Sequence, residues 1–150
     1  MKMTGRTILI TGGTSGIGLE LATQLIARGN TVIVTGRDLD RLEVARRAVP
    51  GLHAFQSDVS DPTSIESLYK TVSGRFPAFN TLMNNAGTMR NIKLGHQRQL
   101  SDLTAEVDGN LKGPMWMTQA FLPLLLRQND SLIVNVSSGL AFIPFPAAPI

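Results

Sequence analysis

The sequence of 150 residues contains no cysteine and only two histidines, one tryptophan and one tyrosine. The absence of cysteine excludes disulfide scaffolds, cysteine–zinc sites and cysteine nucleophiles. The two histidines, His53 and His96, stand alone in the sequence, so we predict no metal site. The length suits a single domain over residues 1–150, with enough apolar residues to form a core.

Long apolar runs and clusters of charge are also missing. No segment approaches the ~20 apolar residues of a membrane-spanning helix, and the first five residues form no apolar signal segment. The net charge is +3, but the basic residues are scattered, whereas nucleic-acid binding needs a basic stripe or cluster. We therefore expect a cytoplasmic protein that binds neither membrane nor nucleic acid. Apart from Arg37, its basic residues are interpreted mostly as solvated surface.

The sequence instead alternates short β-branched runs with helical stretches, which is typical of βαβ units. It predicts strands over 7–11, 31–35, 52–56, 81–83 and 132–136. It predicts helices over 15–28, 39–49, 62–75 and about 101–127, a loop over 88–99 and an irregular tail over 140–150. The predicted fold class is α/β, a Rossmann-type doubly wound parallel sheet with strand order 3-2-1-4-5.

A glycine-rich stretch, Thr11–Gly18, joins the first strand to the first helix. Glycines allow a tight turn, and a helix N-terminus directs unpaired N–H groups at an anion, so the stretch predicts a nucleotide phosphate site. A side chain at the close-approach glycines would occupy the place of the pyrophosphate. The loop has no lysine, so a Walker-type site is unsupported, and an ordinary glycine-rich turn is the alternative. The candidate cofactor-binding residues are Gly12, Thr14, Ser15, Gly16, Ile17 and Gly18.

Arg37 follows the second strand, where a dinucleotide-binding unit offers a carboxylate to the ribose 2′-hydroxyl or an arginine to a 2′-phosphate. Gly36 supplies no carboxylate and Arg37 presents a guanidinium fork, so we expect NADP, with NAD as the alternative. Asp38 is another candidate for the ribose hydroxyl if it does not cap the second helix. The competing interpretation of Arg37 is an ordinary exposed residue.

Further polar residues follow the third and fourth strands and should meet at the carboxyl edge of the sheet, where ligands bind. The carboxylate of Asp58, which precedes Val59, either accepts from an adenine amine or braces its turn. Asn85 can bridge neighbouring strands, while the small Ala86 and Gly87 let a cofactor approach.

Two more candidates are Asn110 and Ser138. Asn110 stands beside Gly109 inside the fourth predicted helix, where both residue types are unfavourable, so we expect a local distortion. That distortion would bring a backbone carbonyl or an amide into the site, and a tolerated weak point is the alternative. Ser138 follows the fifth strand and either donates to a carbonyl oxygen or belongs to a turn.

Taken together, these strings resemble the classical short-chain dehydrogenase/reductase family over essentially the whole chain. The matching strings are Thr11-Gly12-x-x-x-Gly16-Ile17-Gly18, Asp58-Val59, Asn84-Asn85-Ala86-Gly87, Asn110-Leu111 and Ile133-Val134-Asn135-Val136-Ser137-Ser138. The resemblance implies hydride transfer between a nicotinamide cofactor and a carbonyl or alcohol carbon of a small molecule. The glycine spacing differs from that of the epimerase-like branch.

The resemblance also implies roles for the candidate residues. The glycine loop would cradle the pyrophosphate, and Arg37 would select NADP. Asp58 and Val59 would contact adenine, and Asn85 with its neighbours would line the ribose and nicotinamide side. The distorted helix at Asn110 would hold a water of the proton relay.

The resemblance further implies that Ser138 steadies the substrate oxygen and that a tyrosine of a Tyr-x-x-x-Lys motif acts as acid or base. A tyrosine, with an unperturbed pKa near ~10, needs a nearby cation for this work. Counted from Ser138, that tyrosine falls one position beyond Ile150. Tyr69, followed at once by Lys70, lies on the third predicted helix and is no substitute.

We therefore expect an enzyme fragment, truncated just before Tyr-x-x-x-Lys, that lacks the C-terminal strands and helices and has no dehydrogenase activity alone. A catalytically silent dinucleotide-binding or interaction protein is the alternative, although its fifth strand would keep an unpaired edge. Full-length members of the family are usually homo-oligomers.

Overall fold

The structure is a parallel sheet of five strands with helices on both faces. This computed structural model describes residues 2–89, 100–139 and 142. The strands are β1 (Thr7–Thr11), β2 (Thr31–Gly36), β3 (His53–Gln56), β4 (Phe79–Asn84) and β5 (Leu132–Asn135). The helices are α1 (Gly16–Ala27), α2 (Leu39–Ala48), α3 (Pro62–Arg75), α4 (Leu100–Val107) and α5 (Gly113–Leu125), with a π-helical segment (Asp108–Lys112) between the last two. The order β3-β2-β1-β4-β5 confirms the predicted topology.

Side chains at the helix ends explain where α2 and α3 begin. The carboxylate of Asp38 accepts a hydrogen bond from the Arg41 N–H at 3.1 Å, and that of Asp61 accepts one from the Thr63 N–H at 3.0 Å. Pro62 occupies the first turn of α3, where its missing N–H costs nothing. Both starts were predicted from the sequence, and both predictions are confirmed.

The core has two layers because alternate strand residues face opposite sides of the sheet. Ile8 and Ile10 of β1 pack with one layer, beneath α1 and α2, whereas Leu9 packs with the other, beneath α3 and α5. The central strands are buried on both faces, and their apolar, β-branched sequences match that environment. The helices therefore hold the sheet from both sides and leave its carboxyl edge open for a site.

β4 is longer than the three residues that the sequence predicted. Asn80 and Asn84, which disfavour strands, both belong to it, and their side-chain amides bond to the neighbouring strands β1 and β5. The Thr7 N–H donates to Asn80 Oδ1 at 3.2 Å, and Asn84 Nδ2 donates to Asn135 Oδ1 at 2.8 Å. β5 ends one residue earlier than predicted, at Asn135.

The single long helix predicted up to Arg127 is interrupted. The distortion predicted around Asn110 is confirmed as the π-helical segment, whose wider turn accommodates an extra residue. Pro114 falls in the first turn of α5, which directly continues the π-helical segment, and Pro123 lies within α5. The predicted loop over 88–99 and tail over 140–150 lie largely outside the described residues, which include only 88, 89 and 142 of them. Within the described part, none of the helices has the length and apolar character needed to cross a membrane.

Candidate functional site

A cleft of about 730 Å³ opens at the carboxyl edge of the sheet, where the chain leaves β1, β2, β3 and β4. Doubly wound sheets bind their ligands at this edge. Of the predicted cofactor residues only Gly16 does not line the cleft; of the two catalytic candidates, Asn110 lines it and Ser138 does not. The predicted residues that line it are Gly12, Thr14, Ser15, Ile17, Gly18, Arg37, Asp58, Val59, Asn85, Ala86, Gly87 and Asn110.

The glycines of the loop are needed for different reasons. A Cβ at Gly12 would lie 2.8 Å from the Cα of Ala86, and a Cβ at Gly18 would lie 2.4 Å from the Gly12 carbonyl oxygen. At these two positions a side chain collides with the protein itself, rather than with a ligand as the sequence suggested. At Gly16 the space is open, and the φ of +53° is what favours glycine.

The start of α1 presents free backbone donors to the cleft. Ser15 is the N-cap residue with an extended backbone, but its side chain makes no capping hydrogen bond. Ser15 therefore leaves the N–H groups of the first turn uncapped, and they lie at the positive end of the helix dipole. Ile17, 69% exposed, also borders the cleft. Such a helix start is suited to binding an anion.

Asn85 ties the end of β4 to the end of β1. Its Nδ2 donates to the carbonyl oxygens of Thr11, at 3.0 Å, and Gly12, at 3.2 Å. The N–H groups of Asn85 and Ala86 both donate to Thr11 Oγ1 at 3.0 Å. The bridging function predicted for this asparagine is therefore confirmed, and it holds the glycine loop against the segment that follows β4.

One end of the cleft combines two arginines with two carboxylates. Arg37 Nη1 lies 4.0 Å from Asp58 Oδ2, and Arg41 Nε lies 3.7 Å from Asp38 Oδ2. Both arginine side chains are about two-thirds exposed, so these pairings are weak and an incoming anion can displace them. Because Asp38 caps α2, the capping alternative is confirmed for this residue.

Arg41 is about two-thirds exposed, as expected of a solvated basic residue, but it also lines the cleft, which the sequence did not indicate. It lines the cleft because α2 begins immediately after β2, so the third residue of the helix still lies at the carboxyl edge of the sheet. Its place in the first turn of the helix that follows β2, the strand that leads to Arg37, is the signal that would have identified it.

For Asp58, the structure confirms the alternative in which the carboxylate braces the turn, and the adenine contact stays a prediction. Its Oδ1 accepts two hydrogen bonds from Ser60, one from the backbone N–H at 2.9 Å and one from the side-chain hydroxyl at 2.6 Å, and these brace the turn. Its Oδ2 faces Arg37 across the cleft. Val59 also supports the start of α5, since a Cβ at Gly113 would lie 3.0 Å from its Cγ2.

Asn110 holds the chain that follows β4. Its Oδ1 accepts from the Thr88 N–H at 2.8 Å and its Nδ2 donates to the Thr88 carbonyl oxygen at 2.7 Å. Both halves of the amide are thus engaged with backbone. Nothing in the sequence signalled Thr88, because the contact joins a loop to a distortion of a distant helix.

A charged pair spans the π-helical segment. Lys112 Nζ donates to Asp108 Oδ1 at 2.7 Å and lies 6.0 Å from the centroid of the Trp116 ring. The hydrogen bond from Lys112 lowers the pKa of Asp108, and one from Thr104 adds to it. Asp108, which lines the cleft, therefore carries a negative charge beside Asn110. In the sequence, this ion pair is indicated by the spacing of four residues between the opposite charges of Asp108 and Lys112.

Ser138 and Tyr69 are not among the residues that line this cleft. Ser138 is exposed, three residues beyond the end of β5. Tyr69, half-buried on α3, packs against Phe121 with their ring centroids 5.8 Å apart. No phenol group among the described residues therefore faces the cleft.

Sequence comparison finds a match over nearly the whole chain. The profile of the family described as short chain dehydrogenase matches residues 6–150. The uncharacterized oxidoreductase DltE of Bacillus subtilis is 42% identical, over 100% of this chain and 60% of that protein. The NADP-dependent 3-hydroxy acid dehydrogenase YdfG of Shigella flexneri is 31% identical, over 92% of this chain and 56% of that protein. The chain thus spans about 60% of the length of these curated relatives.

Solved structures agree with the sequence matches. A short chain dehydrogenase/reductase family protein superposes with a TM-score of 0.85 at 32% identity, over 99% of this chain and 61% of that one. A metagenomic short-chain oxidoreductase in complex with NADP superposes with a TM-score of 0.87 at 26% identity, over 98% of this chain and 68% of that one.

Proposed function

The chain belongs to the short chain dehydrogenase family, and on that premise we propose that its cleft binds NADP for an oxidoreductase. The substrate is a small molecule with a carbonyl or alcohol carbon. One observation carries the proposal: a single cleft joins the uncapped start of α1 to Arg37 and Arg41. When bound, the nicotinamide ring supplies or accepts the hydride.

The glycine loop fits a pyrophosphate. The side chain of Ser15 does not cap the first turn of α1, and Gly12, Ser15 and Gly18 line the cleft beside it. An anion there accepts backbone hydrogen bonds and gains from the helix dipole. The bridge from Asn85 to Thr11 and Gly12 keeps the loop in this shape before any ligand arrives.

The arginine pair fits the additional phosphate that distinguishes NADP from NAD. Arg37 offers a guanidinium fork at the end of β2, and Arg41 adds a second positive charge. No carboxylate replaces them at the end of β2, since that position is Gly36. The NADP named for YdfG and for the metagenomic oxidoreductase supports the same choice.

The residues near the proposed nicotinamide end of the cleft hold other groups in place but do not transfer protons. The amide of Asn110 holds the backbone of Thr88, and Ser138 lies outside the cleft. The only tyrosine in the 150 residues, Tyr69, packs in the core. This observation favours a second candidate function for these 150 residues taken alone, namely cofactor binding without turnover.

Calorimetric titration with NADP and NAD tests the proposal. We expect the chain to bind NADP more tightly than NAD by roughly tenfold or more, because a phosphate gains charge-assisted hydrogen bonds from Arg37. The variant Arg37→Ala should lose most of that preference while its affinity for NAD changes little.

Arg47→Ala is the matched control, since Arg47 is exposed on α2 and pairs with Glu43 away from the cleft. It should keep the preference of the parent chain for NADP. Equal affinities for the two dinucleotides in the parent chain, unchanged by Arg37→Ala, would refute the assignment of NADP. Binding of neither dinucleotide would refute the proposed function itself.

A further inference from the structure

The glycine loop rests directly on the end of β2. The Gly13 N–H donates to the Thr35 carbonyl oxygen at 3.0 Å. A Cβ at Gly13 would lie only 2.4 Å from Cγ1 of Val34, so the loop backbone and the strand are already in contact. The hydrogen bond and the contact together fix the height of the loop above the strand, and with it the position of Thr14.

Gly36 lies directly under Thr14 and is equally fixed. It pairs with Gln56 in the register of β2 with β3, and its carbonyl oxygen accepts from the Ser57 N–H at 3.0 Å. A Cβ at Gly36 would lie 2.6 Å from Cγ2 of Thr14 and 3.1 Å from its Oγ1. Real Cβ atoms essentially never approach closer than 3.0 Å, so any side chain at position 36 must displace Thr14. The branched Cβ of threonine restricts its rotation, which makes that displacement unfavourable.

We infer that Thr14 is a specificity-determining residue, because it occupies the space that a side chain at position 36 requires. Position 36 is the end of β2, where a dinucleotide-binding unit offers a carboxylate to the ribose 2′-hydroxyl of NAD. Thr14 and Gly36 together exclude that carboxylate and leave recognition of the cofactor to Arg37. The inference rests on the proposed function and adds the residue that enforces its choice of cofactor.

The contact predicts how the cofactor preference can be changed. Gly36→Asp alone should weaken NADP through charge repulsion, yet it should gain no affinity for NAD, because the new side chain displaces the glycine loop. Thr14→Ala removes both γ atoms and leaves a Cβ at 3.5 Å from the new side chain, which is ordinary van der Waals contact. The double variant should therefore bind NAD more tightly than Gly36→Asp alone by roughly tenfold or more.

Calorimetric titration of the parent chain, both single variants and the double variant with NADP and NAD measures this coupling. Gly36→Asn with and without Thr14→Ala is the matched control, because asparagine has the size of aspartate without its charge. Thr14→Ala should restore cofactor affinity to Gly36→Asn as it does to Gly36→Asp, but without shifting the preference towards NAD. A switch to NAD by Gly36→Asp alone, in a parent chain that binds NADP, overturns the inference and leaves the proposed function intact. A parent chain that binds neither dinucleotide overturns both.

The steric part of the inference has a test that needs no cofactor. Gly36→Ala should lower the Tm by roughly 3–10 °C as an overpacked contact, and Thr14→Ala in the same chain should recover most of the loss. Gly74→Ala is the control, since a Cβ at Gly74 of α3 meets nothing within 4 Å. Its effect should be the same with and without Thr14→Ala. Additive effects of Thr14→Ala and Gly36→Ala would show that the two positions do not compete for space, and would overturn the inference.

Discussion

Asn110 clamps the chain after β4 through both halves of one amide. Asn110→Ala removes both hydrogen bonds, and we expect it to lower the free energy of unfolding by about 1 kcal/mol, because water can replace the lost partners at this exposed site. Asn110→Asp should cost more, since an oxygen then faces the Thr88 carbonyl oxygen in place of a donor. Urea unfolding of the parent chain and the two variants measures the difference.

Amide exchange separates a clamp from general destabilisation. The Thr88 N–H should exchange faster in Asn110→Ala, while Asn110→Asp retains an acceptor for it. Gln128→Ala is the control, because it removes one exposed hydrogen bond, to the Pro77 carbonyl oxygen, beyond the other edge of the sheet. Equal protection of the Thr88 amide in the parent chain and in Asn110→Ala would contradict the clamp.

For single residues, the sequence predicted the effect of a residue type on its own helix or strand better than it predicted which distant residue the side chain contacts. It predicted a distortion at Asn110 from two unfavourable helix residues, and the π-helical segment confirms it. It did not predict Thr88, which is 22 residues away, because propensities describe neighbours along the chain. The same limit applies to Gly12, where a contact with Ala86 adds to the positive φ of +67° in requiring glycine.

Between elements, one buried arginine joins three parts of the sheet opposite the cleft. Arg6, 3% exposed, precedes β1, donates to Thr81 Oγ1 of β4 at 3.2 Å, and forms an ion pair with Asp130 before β5. A buried guanidinium is costly unless it is fully bonded, so these contacts fix how the three strands start. The sequence did not single out Arg6, because its burial follows only from the pairing of the strands.

The pair predicts an acid-sensitive contribution to stability. The hydrogen bond from Arg6 lowers the pKa of Asp130, so the folded state favours the ionised carboxylate. That contribution is complete above the ordinary pKa of an aspartate, about 3.9, and is lost as the pH falls through the lowered pKa of the folded state. Asp130→Asn should therefore destabilise the chain at about pH 7 and progressively less below about pH 4.

Urea unfolding of the parent chain and Asp130→Asn across this pH range tests the linkage. Glu66→Gln is the control, because Glu66 pairs with Lys70 on the exposed side of α3, where an ion pair contributes little. A deficit of Asp130→Asn that stays constant from neutral to acid pH would exclude the titration of Asp130 as its cause.

For the molecule as a whole, parallel topology explains why the site was predictable. Parallel strands of one sheet end at the same edge, so the polar residues after β1, β2, β3 and β4 must meet there whatever their exact contacts. Arg41 was missed because its position depends on where α2 begins, and Ser138 lies outside the cleft although it follows a strand of the same sheet. The sequence pattern therefore predicted the edge of the sheet at which the site lies, whereas side-chain packing determines which residues face the cleft.

For the whole molecule, we expect cofactor binding to be separate from catalytic turnover. The 150 residues contain a complete glycine loop and an arginine pair, but their only tyrosine packs against Phe121. We predict that the chain binds NADPH and does not oxidise it when small aldehydes or ketones are added, because no phenol faces the cleft to donate a proton.

Calorimetry measures the binding, and the loss of NADPH absorbance with a panel of carbonyl compounds measures the turnover. Arg37→Ala, assayed at NADPH concentrations below saturation of the parent chain, identifies the source of any oxidation, since activity from this cleft then falls with the affinity for NADPH. Oxidation that is unchanged in Arg37→Ala comes from another protein in the preparation. Carbonyl-dependent oxidation that falls in Arg37→Ala would overturn the prediction, and would show that a group other than Tyr69 donates the proton in this cleft.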